Sequence, residues 1–221
     1  MRVTLRWVLA GGLVALIVAP PLAMYRAEYA RSKRLREVTA GRFYRSGQMT
    51  APGLRDAIER YKIKTVINLQ HENPDPRMPE SWLGKPQQTE SEVCKSLNVD
   101  YVLITPDILP HPNDLSKLPP AVAEFLDRLD DESAYPVLIH CKAGLHRTGR
   151  LTAIYRMEYE GWGAGAAMRE LRANGYGYAM ASEADDFIIQ FVQNYKPRAK
   201  GRATAAAPAT AATPEAVGVR P

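Results

Sequence analysis

The chain carries a cysteine and an arginine six positions apart in the run Val137-Leu138-Ile139-His140-Cys141-Lys142-Ala143-Gly144-Leu145-His146-Arg147-Thr148-Gly149. A thiol is a strong nucleophile once ionised. A guanidinium offers a planar fork that binds two oxygens of one phosphate. Together they suit attack of sulfur on phosphorus. The apolar residues before Cys141 read as a strand, and the segment after Arg147 reads as a helix. Cys141 then lies under a helix N-terminus, whose unpaired N–H groups and dipole favour an anion and cradle a phosphate. Gly144 lets the loop backbone approach that ligand closely. Arg147 closes the loop and stabilises charge on the equatorial oxygens during phosphoryl transfer. The predicted cradle is therefore Lys142, Ala143, Gly144, Leu145, His146 and Arg147. Thr148 is expected to donate its hydroxyl to the sulfur, making it a better leaving group in a second step. Reading Cys141 as a buried structural thiol leaves Gly144, Arg147, Thr148 and Gly149 unexplained. Cys94, the other cysteine, sits in a short helical pattern and reads as a core thiol. Two cysteines so far apart do not make a disulfide framework.

The elements that position this loop follow from periodicity. Phe43–Ser46, the β-branched run Thr65–Leu69, Tyr101–Ile104 and Pro136–His140 read as strands. Helical spacing marks Leu54–Tyr61, Glu90–Leu97, Leu118–Leu129, Leu151–Trp162, Ala164–Leu171 and Phe187–Tyr195. His71–Lys85 and Thr105–Pro112 are punctuated by proline and read as loops. Strands alternating with helices predict an α/β fold: a central, mostly parallel sheet with helices on both faces. The hydrophobic share of 46% supplies a core of ordinary size.

Charge is unevenly spread. The formal net charge is +5, yet residues 41–195 hold 17 basic against 21 acidic side chains, a net of −4. The basic surplus lies in the two arms, which argues against a nucleic-acid partner, since that wants a basic face on the fold itself. It suits a collar beside an anionic membrane, or solubility alone. Residues 1–6 form a basic N-terminus. Residues 7–24 are uncharged and would span about 27 Å as a helix. Pro20 and Pro21 shorten the uninterrupted apolar stretch to Trp7–Ala19. An uncleaved membrane anchor is expected ahead of a cleaved signal, because Pro21-Leu22-Ala23 makes a poor cleavage site. Residues 25–40 read as a basic juxtamembrane linker. Arg26, Arg31, Lys33, Arg34 and Arg36 place the C-terminal side in the cytoplasm ahead of an extracytoplasmic location. Residues 41–195 read as the catalytic domain, and 196–221 as a disordered Ala/Pro/Thr-rich tail. No His/Asp/Cys cluster has metal-ligand spacing, so neither a metal nor a cofactor is expected. Nothing in the sequence specifies an oligomeric state.

The run His-Cys-x-x-Gly-x-x-Arg-Thr-Gly resembles the active-site loop of the protein tyrosine phosphatase superfamily, in particular its small dual-specificity branch of bacterial and atypical type. Tyr44-Arg45-Ser46-Gly47-Gln48 and Lys64-Thr65-Val66-Ile67-Asn68-Leu69 are similar to that branch's opening strands. The resemblance covers roughly residues 41–195 and implies a cysteine-phosphatase fold that hydrolyses phosphate monoesters through a phosphocysteine intermediate at Cys141. It implies that His140 orients and tunes the thiolate from below. It also implies a general acid, an aspartate on a loop ahead of the cysteine. Asp107, just past a strand end, is the first candidate; Asp114, placed to cap the next helix, is the second, and His111 a weaker third. Arg45 either reaches under the site or pairs with a carboxylate, and the structural role is expected first.

The substrate expected first is a phosphoprotein, through phosphotyrosine or dual specificity. The alternative is an inositol phosphate or phosphoinositide, since His140–Gly144 resembles the loop of lipid-directed relatives. Leu145 stands where those relatives carry a second lysine, and His146 supplies part of that charge. A third reading, a non-catalytic membrane-tethered phosphate-binding module, would be marked by loss of Cys141, Arg147 or the acid; the first two are intact.

Overall fold

A computed structural model describes residues 2–25, 31–70, 88–105, 118–177 and 183–198. Five strands, β1 (Arg36–Thr39), β2 (Phe43–Gly47), β3 (Thr65–Asn68), β4 (Asp100–Leu103) and β5 (Val137–Cys141), form one sheet in the order β1-β2-β5-β3-β4. β5 is central and runs parallel to both β2 and β3; β4 is parallel to β3, and only β1 is antiparallel. The strand that delivers Cys141 is thus hydrogen-bonded on both edges. Every residue of β2, β3 and β5 is buried, as expected of parallel strands covered on both faces.

The two-residue period of a strand divides these side chains between two cores. Phe43, Ile67, Val137, Ile139 and Cys141 enter one cluster with α4 (Pro120–Leu129), α5 (His146–Tyr159), α6 (Ala164–Ala173) and α7 (Glu183–Asn194). Tyr44, Val66 and Leu138 enter the other with α2 (Ala51–Tyr61) and α3 (Glu90–Ser96). Phe43 stacks on Tyr155 with ring centroids 4.0 Å apart, seating α5 on the sheet. Thr50 caps α2, and Thr89 with Glu92 forms a capping box on α3.

The expected mostly parallel sheet between helical layers is therefore present. One feature differs from the reading of the sequence. The stretch 25–40 holds an edge strand, β1, paired with β2 from Arg36 opposite Arg45 to Thr39 opposite Phe43. The expected N-terminal apolar helix is present as α1 (Arg2–Tyr25), and it continues through the adjacent Pro20 and Pro21. Among the described residues this is the one helix long and apolar enough to cross a membrane, over Arg6–Tyr25, and none of that span is buried against the domain.

At the other end, Arg198 closes the fold. Its Nε donates to Oε1 of the buried Glu158 at 2.6 Å and its backbone N–H to Oε2 at 3.0 Å. Its two Nη groups reach Asp130 at 3.0 and 2.8 Å, and Tyr195 Oη donates to Glu158 at 2.6 Å. The charge of Glu158 is compensated mainly by this arginine. Arg198→Ala is expected to lower the unfolding free energy by about 2 kcal/mol in urea titrations, the scale of lost charge-assisted hydrogen bonds to a buried carboxylate.

Candidate active site

Cys141 ends β5 and α5 begins at His146, so residues 142–145 make the whole turn between them. Three carbonyls of this turn are tied down from outside. The Lys142 oxygen accepts from the Gln48 backbone N–H at 3.3 Å. The Ala143 oxygen accepts from Arg34 Nη1 at 2.8 Å. The Gly144 oxygen accepts from Arg45 Nη2, also at 2.8 Å. With the carbonyls held by these donors, the N–H groups of Ala143, Gly144 and Leu145 meet no acceptor among the described residues. The first turn of α5 likewise has no side-chain cap. A cluster of unpaired N–H groups at a helix N-terminus is an anion site.

Gly144 is required twice over. Its φ is +72°, and a Cβ there would stand 2.6 Å from the Gly47 nitrogen and 2.7 Å from the Ser46 carbonyl carbon and oxygen. Those neighbours are backbone in a central sheet and cannot yield. The loop therefore lies directly on the end of β2, where Gly47 is the register partner of Cys141.

Arg45, only 4% exposed, reaches under this loop. The sequence favoured a carboxylate partner; the guanidinium instead bonds the Gly144 carbonyl, and its Nη1 has no partner among the described residues. Burial pushes the group down to about 10, with the Glu170 carboxylate acting in the opposite direction. Arg147 lies on the other flank. Its Nη1 approaches the Leu69 carbonyl at 3.4 Å, a long contact past the end of β3 that leaves most of its donors for a ligand.

His140 and Cys141 point to opposite faces of β5. Below the sheet, His140 Nε2 stands 2.9 Å from Oε1 of Glu90, both side chains being 1% exposed. The two atoms are in contact but off the line of a good hydrogen bond, and His140 Nδ1 has no partner among the described residues. Asn68, opposite His140 in register, donates to the other oxygen of Glu90 at 2.5 Å and shares Nδ2 with Tyr101 Oη at 3.0 Å. A buried carboxylate needs such donors. His140 thus lies on the face of β5 opposite Cys141, against Glu90. Glu90 was read only as a helix residue, and no local signal in the sequence links it to His140, fifty residues on.

The remaining expected residues divide. Lys142 is exposed beside the loop, and His146, half-buried, stacks edge-on against Tyr176 at 5.5 Å. Thr148 is fully buried at the base of α5, yet its hydroxyl is not bonded to the Cys141 sulfur or to any described group. Asp107, Asp114 and His111 lie outside the described residues. No cluster of three or more metal-ligating side chains occurs among the described residues.

Comparison with known proteins agrees with this geometry. Residues 46–196 match the model of the dual specificity phosphatase catalytic domain. The dual specificity protein phosphatase TpbA of Pseudomonas aeruginosa is 30% identical over 134 residues, covering 61% of this chain and 51% of that protein. A putative tyrosine-protein phosphatase of Saccharomyces cerevisiae, OCA1, is 29% identical over 132 residues, covering 58% of this chain and 50% of that protein. The chain thus spans about half the length of the curated relatives it matches. Among solved structures, the core catalytic domain of the S. cerevisiae PP-IP phosphatase SIW14 superposes with a TM-score of 0.54 at 22% identity, covering 75% of this chain and 86% of that one. The crystal structure of P. aeruginosa TpbA gives 0.51 at 21% identity, covering 73% and 89%. At these identities both share the fold.

Two expectations follow from the loop. Gly144→Ala should fold with a displaced loop and lose about 100-fold in kcat/KM for an aryl phosphate, the scale of a roughly 1 Å misplacement in an active site. Burial pushes the Cys94 thiol up to about 12, so iodoacetamide at pH 8 should label Cys141 and leave Cys94 unmodified in the native protein, as read by peptide mass spectrometry.

Proposed function

The chain belongs to the dual specificity phosphatase catalytic-domain family, and from that premise we propose that it hydrolyses phosphate monoesters through a phosphocysteine at Cys141. The observation that carries the reading is the turn after Cys141, with three carbonyls held from outside and three N–H groups left to an anion.

In the first step the Cys141 thiolate attacks phosphorus in line, forming the P–S bond as the bond to the ester oxygen breaks. Asp107 supplies the proton that the departing oxygen takes up. In the second step the Asp107 carboxylate removes a proton from water, whose oxygen attacks phosphorus and expels the Cys141 thiolate. Arg147 and the N–H groups of the turn hold the equatorial oxygens through both transfers. Lys142, Ala143, Gly144, Leu145 and His146 form the cradle, and Arg45 holds its floor. Asp107 enters through its place after β4, with Asp114 as the second candidate. Thr148, whose buried hydroxyl is unpaired among the described residues, is the candidate to donate to the sulfur as it leaves in the second step.

The substrate reading placed first is a phosphoprotein, following the protein phosphatases that the chain resembles in sequence. A second reading, an inositol phosphate or a phosphoinositide, is favoured by the cations gathered at the mouth, Lys33, Arg34 and Lys142. Residues 7–24 are proposed to anchor the domain to a membrane, on its cytoplasmic side.

The test is phosphate release by the full chain in mild detergent, measured on a phosphotyrosine peptide and on a phosphoinositide. Cys141→Ser is expected to retain less than about 10⁻⁴ of the activity, as when a nucleophile is removed. Asp107→Ala is expected to lose about 100-fold and to lose the alkaline limb of the pH–rate profile. Full activity in Asp107→Ala would transfer the acid role to Asp114. Release unaffected by Cys141→Ser would refute the phosphocysteine route.

A further inference from the structure

The chain ahead of β1 returns to the phosphate loop before it enters the sheet. Ser32–Leu35 make a tight turn closed by the Leu35 N–H on the Ser32 carbonyl at 2.9 Å. Three contacts hold this segment to the domain. The Lys33 carbonyl accepts the Gly47 N–H at 2.7 Å. The Arg31 backbone lies on the first turn of α2, where a Cβ at Gly53 would stand 1.8 Å from the Arg31 carbonyl oxygen. Arg31 Nε donates to Asp56 Oδ2 at 2.6 Å. Within the turn Lys33 and Arg34 have φ of 32° and 60°. Two successive β-carbon-bearing residues in the left-handed region are unfavourable, and such conformations persist where the surroundings enforce them, often at functional sites. This conformation aims one side chain at the loop: Arg34 Nη1 donates to the Ala143 carbonyl at 2.8 Å, 109 residues along the chain.

That contact governs one peptide plane. In a trans peptide the carbonyl and the N–H point in opposite directions. Gln48 on the Lys142 carbonyl therefore aims the Ala143 N–H, and Arg45 on the Gly144 carbonyl aims the Leu145 N–H. Arg34 on the Ala143 carbonyl aims the Gly144 N–H. The peptide it holds is also the one most free to turn over. A flip would carry Gly144 from φ +72° to a negative φ, and glycine takes both signs. The Ala143 oxygen would then face the bound phosphoryl oxygens where an N–H donor is needed. The catalytic-domain match begins at residue 46, so this anchor comes from outside the matched segment.

We propose that Arg34 is a positioning residue of the phosphate loop: by holding the Ala143 carbonyl outward it keeps the Gly144 N–H on the phosphoryl oxygens, and the segment ahead of β1 is a working part of the site. The inference rests on the phosphatase reading and adds to it a residue that acts through the loop.

The experiment compares the full chain in mild detergent with Arg34→Met, which keeps the stem and loses the donor, and with Arg34→Lys, which keeps a donor of similar reach. Turnover of an aryl phosphate is read in otherwise unmodified chains, and binding of inorganic phosphate in chains that also carry Cys141→Ser. Both are measured at about 0.1 M and about 1 M salt, between which the Debye length falls from about 10 Å to about 3 Å. Arg34→Met is expected to lose about 100-fold in kcat/KM, the scale of one lost oxyanion donor. It should lose about tenfold in phosphate affinity, the scale of one charge-assisted contact. Both losses should be the same at either salt concentration, with the urea midpoint unchanged, and Arg34→Lys should recover most of each. A loss that vanishes at high salt would overturn the proposal, since Arg34 would then act as a charge alone. No loss in Arg34→Met, an equal loss in Arg34→Lys, or a urea midpoint lowered in step with the loss would overturn it as well. If phosphate binding depends on Arg34 while the unmodified chain releases no phosphate, the phosphatase reading fails and the positioning role stands.

Discussion

A backbone that is to hold a phosphate must turn its carbonyls away from it, and that constraint organises this domain. Residues 142–144 have no regular structure to fix their peptide planes, so the task falls to donors from other parts of the chain. Gln48 and Arg45 supply two of them from β2 and its end, and Arg34 the third from the turn before β1. The sheet order follows from the same need, since β2 has to lie beside β5 for Gly47 to face Cys141. The cost is a buried guanidinium with an unpartnered Nη1 under the loop. Leaving a donor unsatisfied is unfavourable in general, and here the cation stands below the place where negative charge would gather.

Strand parity makes a second division. Because neighbouring side chains face opposite ways, Cys141 opens onto the α5 side while His140 meets Glu90 on the α3 side. Burial of His140 and Glu90 fixes the end of β5 from beneath, and Asn68 ties the neighbouring strand into the same contact. The loop is therefore held laterally by arginines and vertically by a buried histidine–carboxylate contact.

Much of this was legible in the sequence because it is local. The strand–turn–helix around Cys141, the strand Thr65–Asn68 and the helices of both layers all follow from periodicity and from glycine placement. The need for a glycine at 144 was visible from the turn it makes, although its reason, packing on the end of β2, was not. What escaped was long-range. Glu90 is fifty residues from His140, and its capping-box neighbours Thr89 and Glu92 explain the helix start without it. β1 is four residues long, has one apolar side chain, Val38, and draws its stability from pairing with β2, so neither alternation nor length marks it. Lys33 and Arg34 read as part of a basic tract, since nothing in their spacing reveals that the turn is folded back on the site. Arg45 was misjudged because a buried arginine normally finds a carboxylate, whereas a carbonyl of the loop takes that place.

The turn at Ser32–Leu35 also sets a distance. Only six Cα-to-Cα steps separate Tyr25, the end of α1, from Arg31, and a trans peptide chain covers at most about 3.8 Å per step. The mouth of the site thus stays within roughly 25 Å of the base of α1, whatever surface that helix occupies. The chain works as a ruler between that helix and the cradle, whichever of the two is held in place.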